Sequence, residues 1–152
     1  MINVALISTR QAVVQTLADE NDINTSVVEA TMLDATVQSV RQSAPDIIVM
    51  EQNIDNIDTD ILCHFLSKAC PAAQCIILSK QPPTFEMLQN TGFKARGYIP
   101  PEQMHLTAKA IRVIHDGEAW LPRKLVAEML NHFSQLNQYD IEHAKPTLKA
   151  VK

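Results

Sequence analysis

The sequence predicts an α/β fold with a five-stranded parallel sheet, helices on both faces, and one extra helix at the C-terminal end. Short apolar runs rich in Ile and Val alternate with segments whose apolar residues recur at helical spacing, and five such units follow one another. This alternation is typical of a parallel sheet whose crossover helices cover both faces. The apolar run at 47–50 is uninterrupted, which indicates a central strand buried on both sides.

The five units can be placed along the chain from these patterns. The predicted strands are 2–7, 25–30, 46–50, 74–79 and 95–99. Apolar residues at helical spacing fill the intervals, at 10–17, 33–40, 61–66, 85–88 and 103–115. Pro45 ends the second helix, Asp58 or Thr59 caps the third, and Pro82 with Pro83 opens the fourth.

After Gly117 the pattern changes to one longer amphipathic stripe. Its apolar residues are Leu121, Leu125, Met129, Phe133 and Leu136. Core packing within the same domain explains this stripe, and so does a dimer seam or linker helix. We therefore expect a domain at 1–120, an amphipathic helix at 121–136, and a polar linker or tail at 137–152.

Composition and charge exclude several functional classes. The chain has 152 residues, enough for one domain with a sizeable core, and 46% of them are hydrophobic. The net charge of −4 gives no overall basic field for nucleic acid. Cys63, Cys70 and Cys75 are odd in number and lack C-x-x-C spacing, which indicates buried reduced thiols. The sequence has no signal-peptide pattern and no apolar run of membrane-spanning length, so we predict a soluble cytoplasmic protein without membrane association.

The predicted central strand ends in a lone acidic residue, Glu51, followed by polar residues. In open α/β sheets, ligand and reaction sites lie just beyond the carboxyl ends of the strands. We therefore expect the candidate site at this end of the sheet, around Glu51.

From Ile2 to about Phe133, the order and spacing of these segments resemble the receiver domain of response regulators of the LuxR/NarL type, which end in a helix-turn-helix. Three short segments carry the likeness: Gly97-Tyr98-Ile99, Ala110-Ile111-Arg112, and the turn Gly-Glu-Ala-Trp-Leu-Pro at 117–122. The resemblance implies a flavodoxin-like (CheY-like) fold and a role in two-component signal transduction and transcription regulation. It also implies a DNA-binding domain beyond the end of this chain.

The same resemblance implies that the phosphorylation chemistry is lost. Glu51 stands at the position of the family's phosphate-accepting aspartate. Ser8 and Thr9 stand where two adjacent acids help to hold Mg²⁺, and neutral hydroxyls do not supply that charge. Pro101 stands at the position of a lysine that pairs with the acceptor or its phosphate. We therefore predict a degenerate receiver with no catalytic residue, no metal site and no cofactor.

Two positions of the family's conformational switch are retained. Ser79, at the end of the fourth strand, matches the hydroxyl residue that moves toward phosphate. Tyr98, in the fifth strand, matches the aromatic residue that turns inward on activation. A strand-end cap and a half-buried sheet residue explain the two equally well, so a retained switch and a purely structural role both stay open.

Glu51 itself has three interpretations. It is a fixed phosphate mimic, a partner in a salt bridge with Arg10 or Lys80, or an exposed acid with no special role. A carboxylate carries about one charge, against roughly −1.5 to −2 for a phosphate, so any mimicry is partial. The sequence does not choose among them.

The predicted function is a phosphorylation-independent regulatory or dimerisation module of a transcription regulator, and not an enzyme. Its expected partners are a second copy of the chain or another protein, with DNA bound only through the C-terminal domain outside this chain. An alternative is a stand-alone signalling adaptor that binds a partner protein. A third possibility is a flavin or small-ligand binder at the hydroxyl-rich loop 8–11, although that loop has no nearby glycine to surround a phosphate.

Overall fold

A computed structural model describes residues 1–54 and 57–143 of the chain, with side chains described as far as residue 137. The strands are β1 (Ile2–Ile7), β2 (Ile23–Val27), β3 (Ile47–Glu51), β4 (Gln74–Leu78) and β5 (Ala95–Ile99). The helices are α1 (Gln11–Ala18), α2 (Leu33–Gln42), α3 (Thr59–Ala69), α4 (Phe85–Asn90), α5 (Thr107–His115) and α6 (Arg123–His143). A 3₁₀ segment, Pro101–Leu106, precedes α5.

The strands form one parallel sheet in the order β2-β1-β3-β4-β5, which confirms the predicted fold class. Alternate strand residues such as Leu6, Val49 and Ile76 share a core with Val13 of α1 and Ile111 of α5. The helices α2 and α3 pack against each other and cover the opposite face. Residues 47–50 are all buried, as expected for a strand covered on both sides.

Several element boundaries were predicted wrongly. The strand β2 is Ile23–Val27 rather than 25–30, since Ile23 pairs with Ile2 in the sheet. The sequence did not show its start because the residues of this edge strand are mostly polar. Pro82 and Pro83 do not open α4, since the Thr84 hydroxyl caps this helix by accepting the N–H of Met87 at 3.2 Å. The predicted helix at 103–115 divides into the 3₁₀ segment and α5. The predicted cap of α3 is confirmed at Asp58, whose side chain accepts two backbone N–H groups.

The turn before α6 is attached to the edge of the sheet. Trp120 donates its backbone N–H to Arg96 and accepts the N–H of Tyr98, which adds a one-residue bridge beside β5. Its indole N–H donates to Gln103 at 3.1 Å. Gly97 makes this packing possible, because a Cβ at that position would lie 2.7 Å from Ile114 and 3.4 Å from Trp120. The glycine and tryptophan that the sequence pattern singled out therefore meet at one contact.

The chain divides into two compact units, the first being Met1–Leu121 and the second beginning at Pro122. The second unit contains α6, which continues to His143 and so passes the predicted end of the amphipathic helix at Leu136. Of the predicted stripe, Leu125 is buried, whereas Phe133 and Leu136 are 43% and 63% exposed. No helix within the described ranges is long and apolar enough to cross a membrane.

The cysteines are unpaired thiols, as predicted. Cys63 on α3 and Cys75 on β4 are buried, and Cys70 is half-buried. The hydrogen bond with Cys75 and burial together raise the pKa of the Cys63 thiol well above its usual range. The Cys63 thiol is therefore a protonated core side chain.

An ion-pair cluster links α5 to the turn before β2. The Arg112 guanidinium donates to both carboxylate oxygens of Asp22 at 2.9 Å and also contacts Glu20. This hydrogen bond with Arg112 lowers the pKa of Asp22 from 3.8 to about 2. Stability from a carboxyl group whose pKa is lowered is present above the unfolded value and is lost as pH falls toward the folded value.

We expect this cluster to make the stability of the fold depend on pH between 3.8 and about 2. The wild-type melting temperature should exceed that of Arg112→Met at neutral pH, and the difference should shrink as pH falls from 3.8 to about 2. Arg96→Met is the matched control, because its guanidinium donates to the backbone carbonyl of Phe93. A constant difference for Arg112→Met across this range would contradict the assignment.

Candidate functional site

The carboxyl edge of the sheet places several predicted site residues near one another. Ser8 follows β1, Glu51 ends β3 and Ser79 follows β4, and these three strands are neighbours in the sheet. Ser8 and Ser79 are buried, and Glu51 is 17% exposed. The site expected from the sequence therefore lies where parallel strands end.

Glu51 is held by two groups from the segment after β1, and we call Ser8, Arg10 and Glu51 the Glu51 cluster. The Ser8 hydroxyl donates to Glu51 Oε1 at 2.5 Å, and the Arg10 Nε lies 3.3 Å from the same oxygen. The Ser8 hydroxyl oxygen also accepts the Arg10 backbone N–H at 3.1 Å. The turn after β1 therefore places the Ser8 hydroxyl and the Arg10 guanidinium at the same carboxylate oxygen of Glu51.

This geometry selects among the proposed roles of Glu51. The carboxylate forms the predicted salt bridge, and its partner is Arg10 rather than Lys80. Arg10 is itself only 39% exposed, so the pair is screened less than two surface charges. The interpretation of Glu51 as an exposed acid does not agree with its 17% exposure, and the interpretation as a phosphate mimic stays a prediction.

Thr9, Lys80 and Pro101 form no hydrogen bond or ion pair with Glu51. Thr9 and Lys80 are exposed, and Pro101 is an exposed residue that begins the 3₁₀ segment after β5. Within the described part of the chain, no group of three or more His, Cys, Asp or Glu side chains is arranged to hold a metal ion. Pro101, which the resemblance places at the family's lysine position, has a proline ring and no cation; that correspondence stays a prediction.

Ser79 contacts Gln52, a residue that the sequence analysis did not single out. Its hydroxyl donates to the side-chain oxygen of Gln52, and its oxygen accepts the backbone N–H of Gln81 at 3.1 Å. The sequence analysis missed Gln52, although a polar side chain immediately after the buried strand was the available signal. Ser79 therefore joins the loops after β3 and β4 and makes no hydrogen bond with Glu51.

Tyr98 points inward, with only 4% of its surface exposed. Burial is the main cause that raises the pKa of its hydroxyl well above the usual range. The ring lines a cavity of about 160 Å³ between the loop after β3, the start of α3, and α4. We call this the Tyr98 cavity; its lining residues are Gln52, Asn53, Asp58, Thr59, Asp60, Ile77, Met87 and Tyr98.

Two residues that line the Tyr98 cavity, Asn53 and Thr59, make a contact that the sequence analysis missed. Asn53 adopts a left-handed backbone with φ of 54°, which asparagine tolerates better than most residues. Its backbone N–H donates to the Thr59 hydroxyl at 2.7 Å, and its side-chain oxygen accepts the Thr59 N–H at 3.4 Å. These contacts fix the loop after β3 to the first turn of α3.

Comparison with solved structures identifies proteins that share this fold. The two-component response regulator of the LuxR family from Aurantimonas sp. SI85-9A1 matches with a TM-score of 0.67 and 16% identity, over 88% of this chain and 99% of that one. The chain has the fold of a response-regulator receiver domain. The isolated REC domain of RcsB from Salmonella enterica serovar Typhimurium matches this receiver fold with a TM-score of 0.68 and 13% identity, over 86% and 99%. The receiver domain of the putative response regulator NarL from Mycobacterium tuberculosis gives a TM-score of 0.62 and 14% identity, over 77% and 98%.

The predicted resemblance to LuxR/NarL-type receivers is thus confirmed in structure. No protein-family model matches the sequence, and no curated protein is significantly similar to it. At these levels of identity the likeness concerns the fold, so the role of each residue in the site rests on its own contacts.

Proposed function

We propose that this chain is a receiver-type regulatory module of a transcription regulator, and that it works without phosphorylation. The observation that carries the proposal is the Glu51 cluster. The Glu51 carboxylate already accepts a hydrogen bond from the Ser8 hydroxyl and forms an ion pair with the Arg10 guanidinium, whereas a phosphate acceptor must be a free nucleophile beside a metal ion.

Three further features support the loss of phosphoryl transfer. Ser8 uses its hydroxyl on Glu51, and neutral oxygens at 8 and 9 are poor ligands for Mg²⁺, which prefers carboxylates. Pro101 has no donor or charge for a phosphate. The Ser79 hydroxyl donates its hydrogen bond to Gln52 and not to Glu51. Each of these features removes a different requirement of phosphoryl transfer: the metal ligands, the cation that binds phosphate, and the hydroxyl that moves toward it.

The Glu51 cluster holds the loop after β1 and the end of β3 in one arrangement. Arg10 offsets the single negative charge of Glu51, so the carboxylate is at most a weak substitute for phosphate. The module is therefore controlled by protein partners, dimerisation or a small ligand rather than by a kinase.

We expect the intact mass of the protein to stay unchanged after incubation with acetyl phosphate and Mg²⁺, because the metal ligands are missing. Electrospray mass spectrometry measures this directly, with a phosphorylatable receiver domain treated in parallel as the positive control. A gain of one phosphoryl group that disappears in Glu51→Gln would overturn the proposal.

A homodimer is the assembly that we propose, with α6 contributing to the contact. Val126, Leu130 and Leu136 on this helix are 39%, 64% and 63% exposed, an apolar surface of the kind that protein partners cover. We expect sedimentation velocity to show a dimer that Leu130→Lys weakens, while Lys124→Glu on the same helix has little effect. A monomer at all concentrations would favour the alternative, an adaptor that binds a different protein.

DNA recognition belongs, in this proposal, to a helix-turn-helix domain encoded beyond Lys152. Reading the gene past that codon tests this part directly, and a stop codon there would favour the adaptor. The flavin alternative has little support, because the Ser8 hydroxyl is used on Glu51 and that carboxylate would repel a flavin phosphate.

A further inference from the structure

The outer side of α3 carries an exposed stripe with an apolar middle and one charge at each end. We call it the α3 stripe, and its members are Asp58, Ile61, Phe65 and Lys68. They follow one another at intervals of three, four and three positions, so they lie on one side of the helix. All of them are exposed, whereas Leu62 and Leu66 on the other side of α3 are buried in the core.

The middle of the α3 stripe is apolar. Ile61 and Phe65 lie one helical turn apart and are 50% and 43% exposed, so water contacts both side chains in the isolated chain. The His64 ring meets the Phe65 ring edge-on, with the ring centroids 5.4 Å apart, and extends this surface. Adjacent exposed apolar side chains with charged residues around them are typical of surfaces that bind another protein.

The two ends of the α3 stripe carry opposite charges. Lys68 lies in the last turn of α3 and forms no ion pair with any described residue. Asp58 precedes the first turn, and its Oδ1 caps the helix by accepting the backbone N–H groups of Asp60 and Ile61. Capping leaves the second carboxylate oxygen and the negative charge of Asp58 available to a cation.

The order of these residues makes the α3 stripe complementary to itself. Positions 61 and 65 are equally far from Cys63 along the helix, and so are positions 58 and 68. An antiparallel copy centred on this residue brings Ile61 to the partner's Phe65 and Lys68 to the partner's Asp58. One register therefore forms the apolar and the charged contacts together, and each forms twice, as a two-fold interface requires.

The same charges exclude a parallel arrangement of the two helices. Parallel α3 helices in register would place Lys68 beside the partner's Lys68 and Asp58 beside the partner's Asp58. Like charges placed together oppose association, whereas the antiparallel register pairs opposite charges. The charge pattern thus selects both the partner, a second copy of this chain, and its orientation.

We propose that the α3 stripe binds the α3 stripe of a second copy of this chain, with the two helices antiparallel about a two-fold axis. This inference goes beyond the proposed function and does not rest on it, since the homodimer proposed above uses α6. The contact involves one short helix from each copy, so it is a weak and rapidly exchanging one.

The test uses the full chain with Leu130→Lys, which weakens the contact proposed for α6. Sedimentation equilibrium up to about 1 mM should show monomers and dimers with a dissociation constant on the order of 100 μM. A mixture of isotope-labelled and unlabelled chains should give an NOE, selected for contacts between copies, from the Ile61 methyl groups to the partner's Phe65 ring. The isotope filter removes the contact between these side chains within one helix.

One variant tests the apolar part of the contact in this background. Phe65→Ser should weaken the dimer at least about tenfold, because an aromatic side chain at the centre of a small interface contributes much of its affinity. Met32→Ser changes another apolar residue, which is 77% exposed, and is the matched control that should leave the affinity unchanged. Circular dichroism verifies that each variant is folded.

A charge reversal tests the register. Lys68→Glu should weaken the dimer about tenfold, because it replaces an attraction to the partner's Asp58 with a repulsion. Adding Asp58→Asn should recover about threefold of this loss, since asparagine caps a helix as well as aspartate and carries no charge. Lys109→Glu, the same reversal at an exposed residue of α5, is the matched control and should have no effect.

Three outcomes would overturn the proposal: a monomer at every concentration in the Leu130→Lys chain, equal effects of Phe65→Ser and Met32→Ser, or no loss of affinity with Lys68→Glu. A wild-type dimer that Leu130→Lys abolishes completely supports the contact through α6 and contradicts the one through α3. The acetyl phosphate experiment bears on neither contact, so this proposal and the proposed function fail separately.

Discussion

A variant that carries Ser8→Asp, Thr9→Asp and Glu51→Asp is expected to become dependent on Mg²⁺ for its stability. The Ser8 side chain lies 2.5 Å from Glu51, so an acid at position 8 would share one site with an acid at position 51. Without metal these carboxylates repel each other in a half-buried place, and the variant should be less stable than the wild type. Mg²⁺ at about a hundred times its dissociation constant should restore about 2.7 kcal/mol.

Thermal unfolding with and without Mg²⁺ measures this effect. For a chain of this length, 2.7 kcal/mol corresponds to a rise of roughly 5–10 °C in melting temperature. The matched control carries Asn at the same three positions, which keeps the shape and removes the charge, and it should show no response. A wild-type response as large as that of the triple Asp variant would mean that the native site already binds the metal.

The fold could be predicted because its signals are repeated along the chain. The uninterrupted run before Glu51 requires burial on both faces, and five alternating units allow few sheet topologies. The edge strand β2 was placed wrongly because Asn24, Thr25 and Ser26 carry no apolar alternation. The start of α4 was placed wrongly because a threonine side chain, and not the prolines before it, supplies the cap.

The site was harder to predict because several strand ends meet there. The sheet order places β3 between β1 and β4, so residues that follow either neighbour, Arg10 or Lys80, can face Glu51. The choice is made locally, by the turn in which the Arg10 N–H donates to the Ser8 hydroxyl. The Tyr98 cavity depends on the left-handed backbone of Asn53, and its lining comes from the loop after β3, the start of α3, β4, α4 and β5, so no single stretch of sequence encodes it.

Removing the Ser8 hydroxyl should lower the stability of the fold considerably, although only one oxygen atom is lost. The hydroxyl joins two groups, the Glu51 carboxylate at 2.5 Å and the Arg10 N–H at 3.1 Å, and Ser8 is 6% exposed. Because water reaches this position poorly, Ser8→Ala leaves both groups without this partner. A buried hydrogen bond to a charged group contributes about 1.5–3 kcal/mol, so we expect a loss of about 2 kcal/mol and a fall of about 4–8 °C in melting temperature.

Ser67→Ala is the matched control for this prediction. The Ser67 hydroxyl donates to the carbonyl of His64 in its own helix at 2.7 Å, a local contact whose loss should change stability by less than about 0.5 kcal/mol. A double-mutant cycle with Glu51→Gln isolates the part that depends on the carboxylate charge, and a coupling of about 1 kcal/mol is expected for side chains in direct contact. If Ser8→Ala costs the same with Glu51 and with Gln at this position, the hydroxyl acts through the Arg10 turn alone. The carboxylate would then not be what holds the segment after β1 to the end of β3.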